Sequence, residues 1–165
     1  MFKCGDAVMY STSGACRITS EIEKDYLGKN EVCFVLEPIF SGNMKIYVPK
    51  SNEILLSKMR YMMSEKEVLE LIRSLPEEGE EYILNDNLRR QEYSKLIGSG
   101  DQKRIAKVIK TLYEKKAEQE SKGKKLRQCD EYLLREAQKL FYDELAFVME
   151  LLPDQVHDFI IEHKK

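Results

Sequence analysis

The chain changes its hydrophobic rhythm once, close to Arg60. Before that point, apolar residues come in short runs rich in β-branched and aromatic types, over residues 6–10, 15–22, 32–39 and 44–48. Turn formers separate these runs at residues 11–14, 28–30 and 41–43. Connections this short suit antiparallel neighbours, since a parallel crossover needs a dozen residues or more. Five or so strands packed into residues 1–60 predict a small antiparallel β-barrel of the SH3 or Tudor type. Pro49 should close the last clear run, because it cannot donate a ladder hydrogen bond.

After Arg60 the period lengthens to that of a helix. Ser64-Glu65-Lys66-Glu67 reads as a capping box, with Val68, Leu69 and Ile72 on the face that follows. Leu75-Pro76-Glu77-Glu78-Gly79 stops that helix. A second should start near Asn85 or Asn87 and stop at Gly98-Ser99-Gly100. Asp101 caps a third, whose Ile105, Val108, Ile109, Leu112 and Tyr113 follow the i, i+3, i+4, i+7, i+8 spacing. Residues 122–127 read as a basic linker. A long helix from about Asp130 carries Leu133, Leu134, Ala137, Leu140, Phe141, Leu145 and Val148, and should end at Pro153 before a short tail helix. The expectation is an α+β chain, with a barrel over residues 1–60 and a compact all-α bundle over residues 61–165.

Composition adds little until charge is located. Apolar residues make up 42% of the 165, enough for a core, and charged residues 34%, which suits a helical interaction protein. No run of 18 apolar residues occurs, and the opening MFKCGDAVMY lacks a signal-type core, so a cytoplasmic location is expected. Cys4, Cys16, Cys33 and Cys129 show no CxxC pairing and read as reduced thiols. His157 and His163 do not share a helical face and read as solvated. Neither set predicts a metal. The chain has no glycine-rich phosphate loop, HExxH or GxSxG, so no catalytic residue or cofactor is assigned.

Charge does change the picture. Between Arg89 and Arg127 there are 13 Lys or Arg against five acids, a net of +8, in a chain whose total is −2. Lys103, Arg104, Lys107, Lys110, Lys115 and Lys116 lie on the third helix opposite its apolar stripe. A solvated face explains any one of them. The excess is sustained, however, and continues through Arg89-Arg90 and Lys122-Gly123-Lys124-Lys125-Leu126-Arg127. A helix start at Asp101 with cations nearby could also hold a phosphate. The residues leave both readings open, a solvated surface or a face for a polyanion such as DNA.

The order of short motifs narrows the choice. Phe2-Lys3-x-Gly5-Asp6-x-Val8-x-Tyr10, then Gly14-Ala15, then Ile22-Glu23, resembles the opening of the bacterial CarD/CdnL family, which is shared with the polymerase-interacting domain of the transcription-repair coupling factor. Val48-Pro49 and Arg60 continue the resemblance. In the helical half so do Arg89, Lys95-Leu96, Ser99-Gly100-Asp101, Ala106-x-Val108-Ile109-x-x-Leu112, Leu126, Leu134, Ala137, Leu140 and Glu144-Leu145-Ala146. The resemblance implies a non-enzymatic transcription regulator. Its Tudor-like domain would pair a strand edge with the β subunit of RNA polymerase, through Lys24, Asp25, Met44, Lys45, Ile46, Tyr47 and Val48. Its helical domain would touch upstream promoter DNA without reading sequence, through Arg89, Arg90, Lys95, Lys103, Arg104, Lys124, Lys125 and Arg127. The family wedges a tryptophan into the minor groove there.

This chain departs from that pattern. It has no tryptophan, and Asp86 falls at or beside the wedge position, leaving Leu88 or Tyr82 as the apolar substitute. Asp25 and Tyr47 stand where the family has arginines, and Cys129-Asp130-Glu131-Tyr132 opens the long helix without a cation. The alternative is a polymerase-docking adaptor whose helical half binds another protein and not DNA. A monomer is expected, with a strand-swapped dimer left open.

Overall fold

The computed structural model describes residues 1–11 and 13–164. The chain divides into two compact units, Met1–Met63 and Ser64–Lys165.

The first unit is a five-stranded antiparallel sheet of order β4-β3-β2-β1-β5. Its strands are β1 (Ala7–Tyr10), β2 (Gly14–Tyr26), β3 (Lys29–Pro38), β4 (Ile46–Pro49) and β5 (Met59–Tyr61), with the single-turn helix α1 (Glu53–Leu56) before β5. Val8, Cys16, Ile18, Phe34, Leu36, Val48 and Met59 form one buried cluster, drawn from the inward positions of all five strands. Two expectations need correction. Among the described residues no ladder joins β4 to β5, so the sheet is open and not a closed barrel. The β2–β3 hairpin is also longer than its apolar runs suggest. The charged residues 23–31 continue the pairing to a two-residue turn at Leu27 and Gly28, both at positive φ (54° and 83°). That turn matches the twist of its strands, so polar residues can remain extended there without a core beneath them.

The second unit holds α2 (Glu65–Arg73), α3 (Asp86–Gly98), α4 (Gln102–Ser121), α5 (Gln128–Val148), a 3₁₀ turn (Pro153–Gln155) and α6 (Val156–His163). Ser64 caps α2 through the reciprocal bonds expected of its sequence, Glu67 N–H to Ser64 Oγ and Ser64 N–H to a Glu67 carboxylate oxygen. Ile105, Val108 and Leu112 of α4 and Leu133, Ala137, Leu140 and Leu145 of α5 are buried, along with Tyr93 and Ile97 of α3. The long helix ends at Val148, earlier than expected, and Pro153 starts the following 3₁₀ turn. Between α2 and α3 the backbone has no regular structure, and side chains pin it. Thr111 Oγ1 donates to the Glu80 carbonyl (2.8 Å), the Tyr93 hydroxyl to that of Glu81 (2.6 Å) and Arg89 to that of Ile83 (2.7 Å).

Candidate functional site

In the first unit the strand order leaves β4 bonded only to β3, so its other edge is open. Which peptide groups face that edge follows from the register. Lys50 N–H donates to the Val32 carbonyl (2.9 Å), which makes Val32 and Lys50 a hydrogen-bonded pair. Antiparallel pairs alternate, so Phe34–Val48 and Leu36–Ile46 are also bonded pairs, and Val35–Tyr47 is not. The Tyr47 N–H and C=O therefore point out, away from β3. Pro49 falls on the same outward phase, where its missing N–H costs the sheet no bond.

Seven residues were expected at this contact, and they divide by phase. Met44 (61% exposed) and Lys45 lie on the surface just before β4. Lys24 reaches from β2 across the sheet, its ammonium 3.4 Å from the centroid of the Tyr47 ring, a cation–π contact. Asp25 is exposed near the hairpin tip. Val48 is different: its side chain is fully buried in the core and its N–H faces β3, so neither reaches a partner. Ile46 likewise packs against that core.

In the second unit, three of the expected DNA cations are held by the protein's own carboxylates. Arg89 is the clearest correction, since its side chain is 0% exposed. Its Nε donates to Asp130 Oδ1 (2.7 Å), Nη1 to the Ile83 carbonyl and Nη2 to Asp86 Oδ1 (2.8 Å). A buried guanidinium persists only when its donors are met, and here they are aimed inward. Arg127 donates to the same Asp86 carboxylate at 2.8 and 3.1 Å, and Lys95 pairs with Glu92 at 3.6 Å. The Arg89 and Arg127 guanidiniums hold the Asp86 carboxyl below the usual range.

Tyr82 is also corrected as a wedge. Its hydroxyl donates to Asp130 Oδ2 (2.7 Å), and Arg89 and Lys115 lie 4.5 and 4.6 Å from its ring centroid. Burial and the Asp130 carboxylate push its phenol up, so it stays a donor. Leu88 is 47% exposed on the first turn of α3. Beside it, Leu84 is 83% exposed immediately before the N-cap Asn85. An apolar residue at that position ordinarily staples to the fourth helical residue, which here is Arg89, turned inward. That mismatch was the sequence signal for an unpartnered leucine.

The start of α4 is no phosphate site either: the Asp101 carboxylate already accepts from the Lys103 and Arg104 N–H groups at 3.1 and 3.3 Å. Arg90, Lys103, Arg104, Lys124 and Lys125 are exposed and form no ion pair among the described residues. They do not form one patch. α4 has 20 residues and so spans about 30 Å, with Lys103 and Arg104 at its start and Lys124 and Lys125 past its end. The Asp86–Arg127 bond brings the start of α3 to that second end. Arg90, Lys124, Lys125, Leu84 and Leu88 are thereby gathered together, and Lys95, Lys103 and Arg104 lie at the other end.

Among the described residues there is no group of His, Cys, Asp and Glu able to hold a metal, and no helix long and apolar enough to cross a membrane. Two family models match the chain. The one described as the CarD-like/TRCF RID domain covers residues 2–60, and the one described as the CarD C-terminal domain covers residues 67–161. No curated protein matches it.

Proposed function

The chain belongs to the CarD family of RNA-polymerase-interacting transcription regulators, and on that premise we propose what each unit holds. The open edge of β4 takes a strand of the polymerase β subunit. The end of the helical unit bearing Leu84, Leu88, Arg90, Lys124 and Lys125 rests on upstream promoter DNA. The observation that carries the first part is the outward Tyr47 peptide on the open edge of β4, since β-augmentation needs one free N–H and C=O every second residue.

For DNA, the two exposed leucines supply an apolar wedge in place of an aromatic one, and the adjacent cations meet phosphates. Contacts of this kind read shape and charge, so the protein would act at the melting start point without base recognition and would hold the strands apart. Whether that raises or lowers output depends on the step that limits each promoter.

A second reading has its own support. Arg89 and Arg127 are neutralised internally, which lowers the charge available to DNA and favours an adaptor whose helical unit binds another protein. Two triple variants separate the readings. If DNA is the partner, Arg90→Ala/Lys124→Ala/Lys125→Ala lowers the slope of log affinity against log salt on promoter duplex by about 3, one unit per lost phosphate contact. Lys95→Ala/Lys103→Ala/Arg104→Ala leaves that slope nearly unchanged. Absence of duplex binding by the parent chain at low salt would leave the adaptor.

A further inference from the structure

The helical unit contains a half-open cavity of about 490 Å³ that belongs to neither contact above. It lies between the segment after α2, the middle of α4, α5 and the short helix α6. Its wall is apolar: Leu75 and Pro76 on one side, Ile109 and Phe141 at the floor, Ile160 and Ile161 on α6. Ile109 and Phe141 are buried, yet Ile161 is 54% exposed, so apolar surface is left uncovered at the mouth. The size is that of a small-molecule pocket, about 300–1,000 Å³.

Lys110, Lys164 and His157 line the cavity, against one acid, Glu114. Tyr113 and Tyr142 line it as well. The Tyr113 oxygen accepts from Gln138 Nε2. With its oxygen so occupied, Tyr113 has its own proton left to give. The His157 ring, 6.1 Å from that of Tyr113, closes this side. Burial, with Tyr113 beside it, pushes the Tyr142 phenol up and keeps it a donor. An apolar trough whose lining carries phenol hydroxyls and two ammonium groups against one carboxylate matches a molecule with an apolar tail and an anionic head.

We propose that this cavity between α4, α5 and α6 binds a small amphiphilic carboxylate of the medium-chain fatty acid class. The tail lies along Leu75, Ile109, Phe141 and Ile160. The carboxylate accepts from Tyr113 and is neutralised by Lys110 and Lys164, away from Glu114. Bound in this way, the ligand would also bridge α6 to the rest of the unit, where few contacts now hold it. The cavity shares no residue with the open β4 edge or with the Leu84, Leu88, Arg90, Lys124 and Lys125 end.

Titration calorimetry of the full chain with decanoate, held well below its micelle limit, tests this. Decanol and decyltrimethylammonium serve as head-group controls. Saturable one-to-one binding of decanoate is expected, with backbone amide shifts concentrated at Ile109, Ile160 and Ile161. Lys110→Glu/Lys164→Glu, the first half-buried and the second exposed, should weaken decanoate about tenfold and leave decanol unchanged. Ile161→Glu, also at the surface, should weaken both ligands while circular dichroism reports an intact fold. Absence of saturable binding would overturn the proposal, as would a groove that takes only a helical peptide. Equal affinity for decanoate and decyltrimethylammonium would overturn the head-group assignment.

Discussion

Two neighbouring prolines in β4 should have opposite effects, because the strand's peptide groups alternate between its own sheet and the open edge. Tyr47→Pro removes an outward N–H that bonds nothing within the sheet. Its cost to folding is the Lys24 cation–π contact and part of a half-buried ring, together about 1–2 kcal/mol. Its cost to docking is larger. A main-chain hydrogen bond is lost, worth about 1 kcal/mol net, and the partner's carbonyl is left facing a proline ring, a further 1–3 kcal/mol or so. The sum of about 2–4 kcal/mol weakens binding to the β subunit roughly 30- to 700-fold. Val48→Pro instead deletes an N–H directed at Phe34 and empties a fully buried core position. It should lower stability by about 3 kcal/mol or more and reduce binding only through unfolding. Tyr47→Ala keeps the N–H and separates the ring from the peptide, with an expected loss of binding under about tenfold. Urea unfolding gives the stabilities, and biolayer interferometry on immobilised β subunit gives the affinities. A folded Tyr47→Pro chain that binds within about threefold of the parent would refute strand pairing at this edge.

Three further outcomes bear on the helical unit. Asp130→Ala strands the buried Arg89 guanidinium and should cost about 3–5 kcal/mol in urea unfolding, whereas Arg89→Met/Asp130→Leu together should recover most of it. Gly79→Ala would drive a Cβ into Thr111 Oγ1 and set it 3.2 Å from the Thr111 nitrogen, breaking the pin to Glu80. A loss of about 1–3 kcal/mol is expected, and an unchanged midpoint would mean the segment moves freely. Asp86, whose carboxyl is held low by Arg89 and Arg127, stabilises the folded state as the carboxylate. That contribution is complete above the unfolded value, about 3.9, and is lost as pH falls through the lower folded value. Asp86→Asn should therefore shrink the difference in urea midpoint between pH 7 and pH 3, and an undiminished difference would count against the ion pairs.

Local patterns in this chain carried most of the element order and little of the site. The capping box at Ser64, the cap at Asn85, the stripe of α4 and the short runs before Arg60 depend on neighbours a few residues apart, and each appears where its spacing places it. The charged length of the β2–β3 hairpin was hidden, because pairing there is held by a turn and a ladder, not by burial. The basic block misled for a related reason. Sequence counts charges, but a cation's availability depends on which carboxylate folding brings to it. Asp130 lies 41 residues from Arg89, and Asp86 is equally far from Arg127. Only tertiary packing could turn Arg89 into a core residue, split the remaining cations between the two ends of α4 and leave Leu84 with nothing to staple. The same holds at β4: composition marked a strand, but the phase of its pairing with β3 decided that Tyr47 faces outward and Val48 does not. Periodicity is a property of nearest neighbours along the chain, and partnership is a property of distant segments that meet.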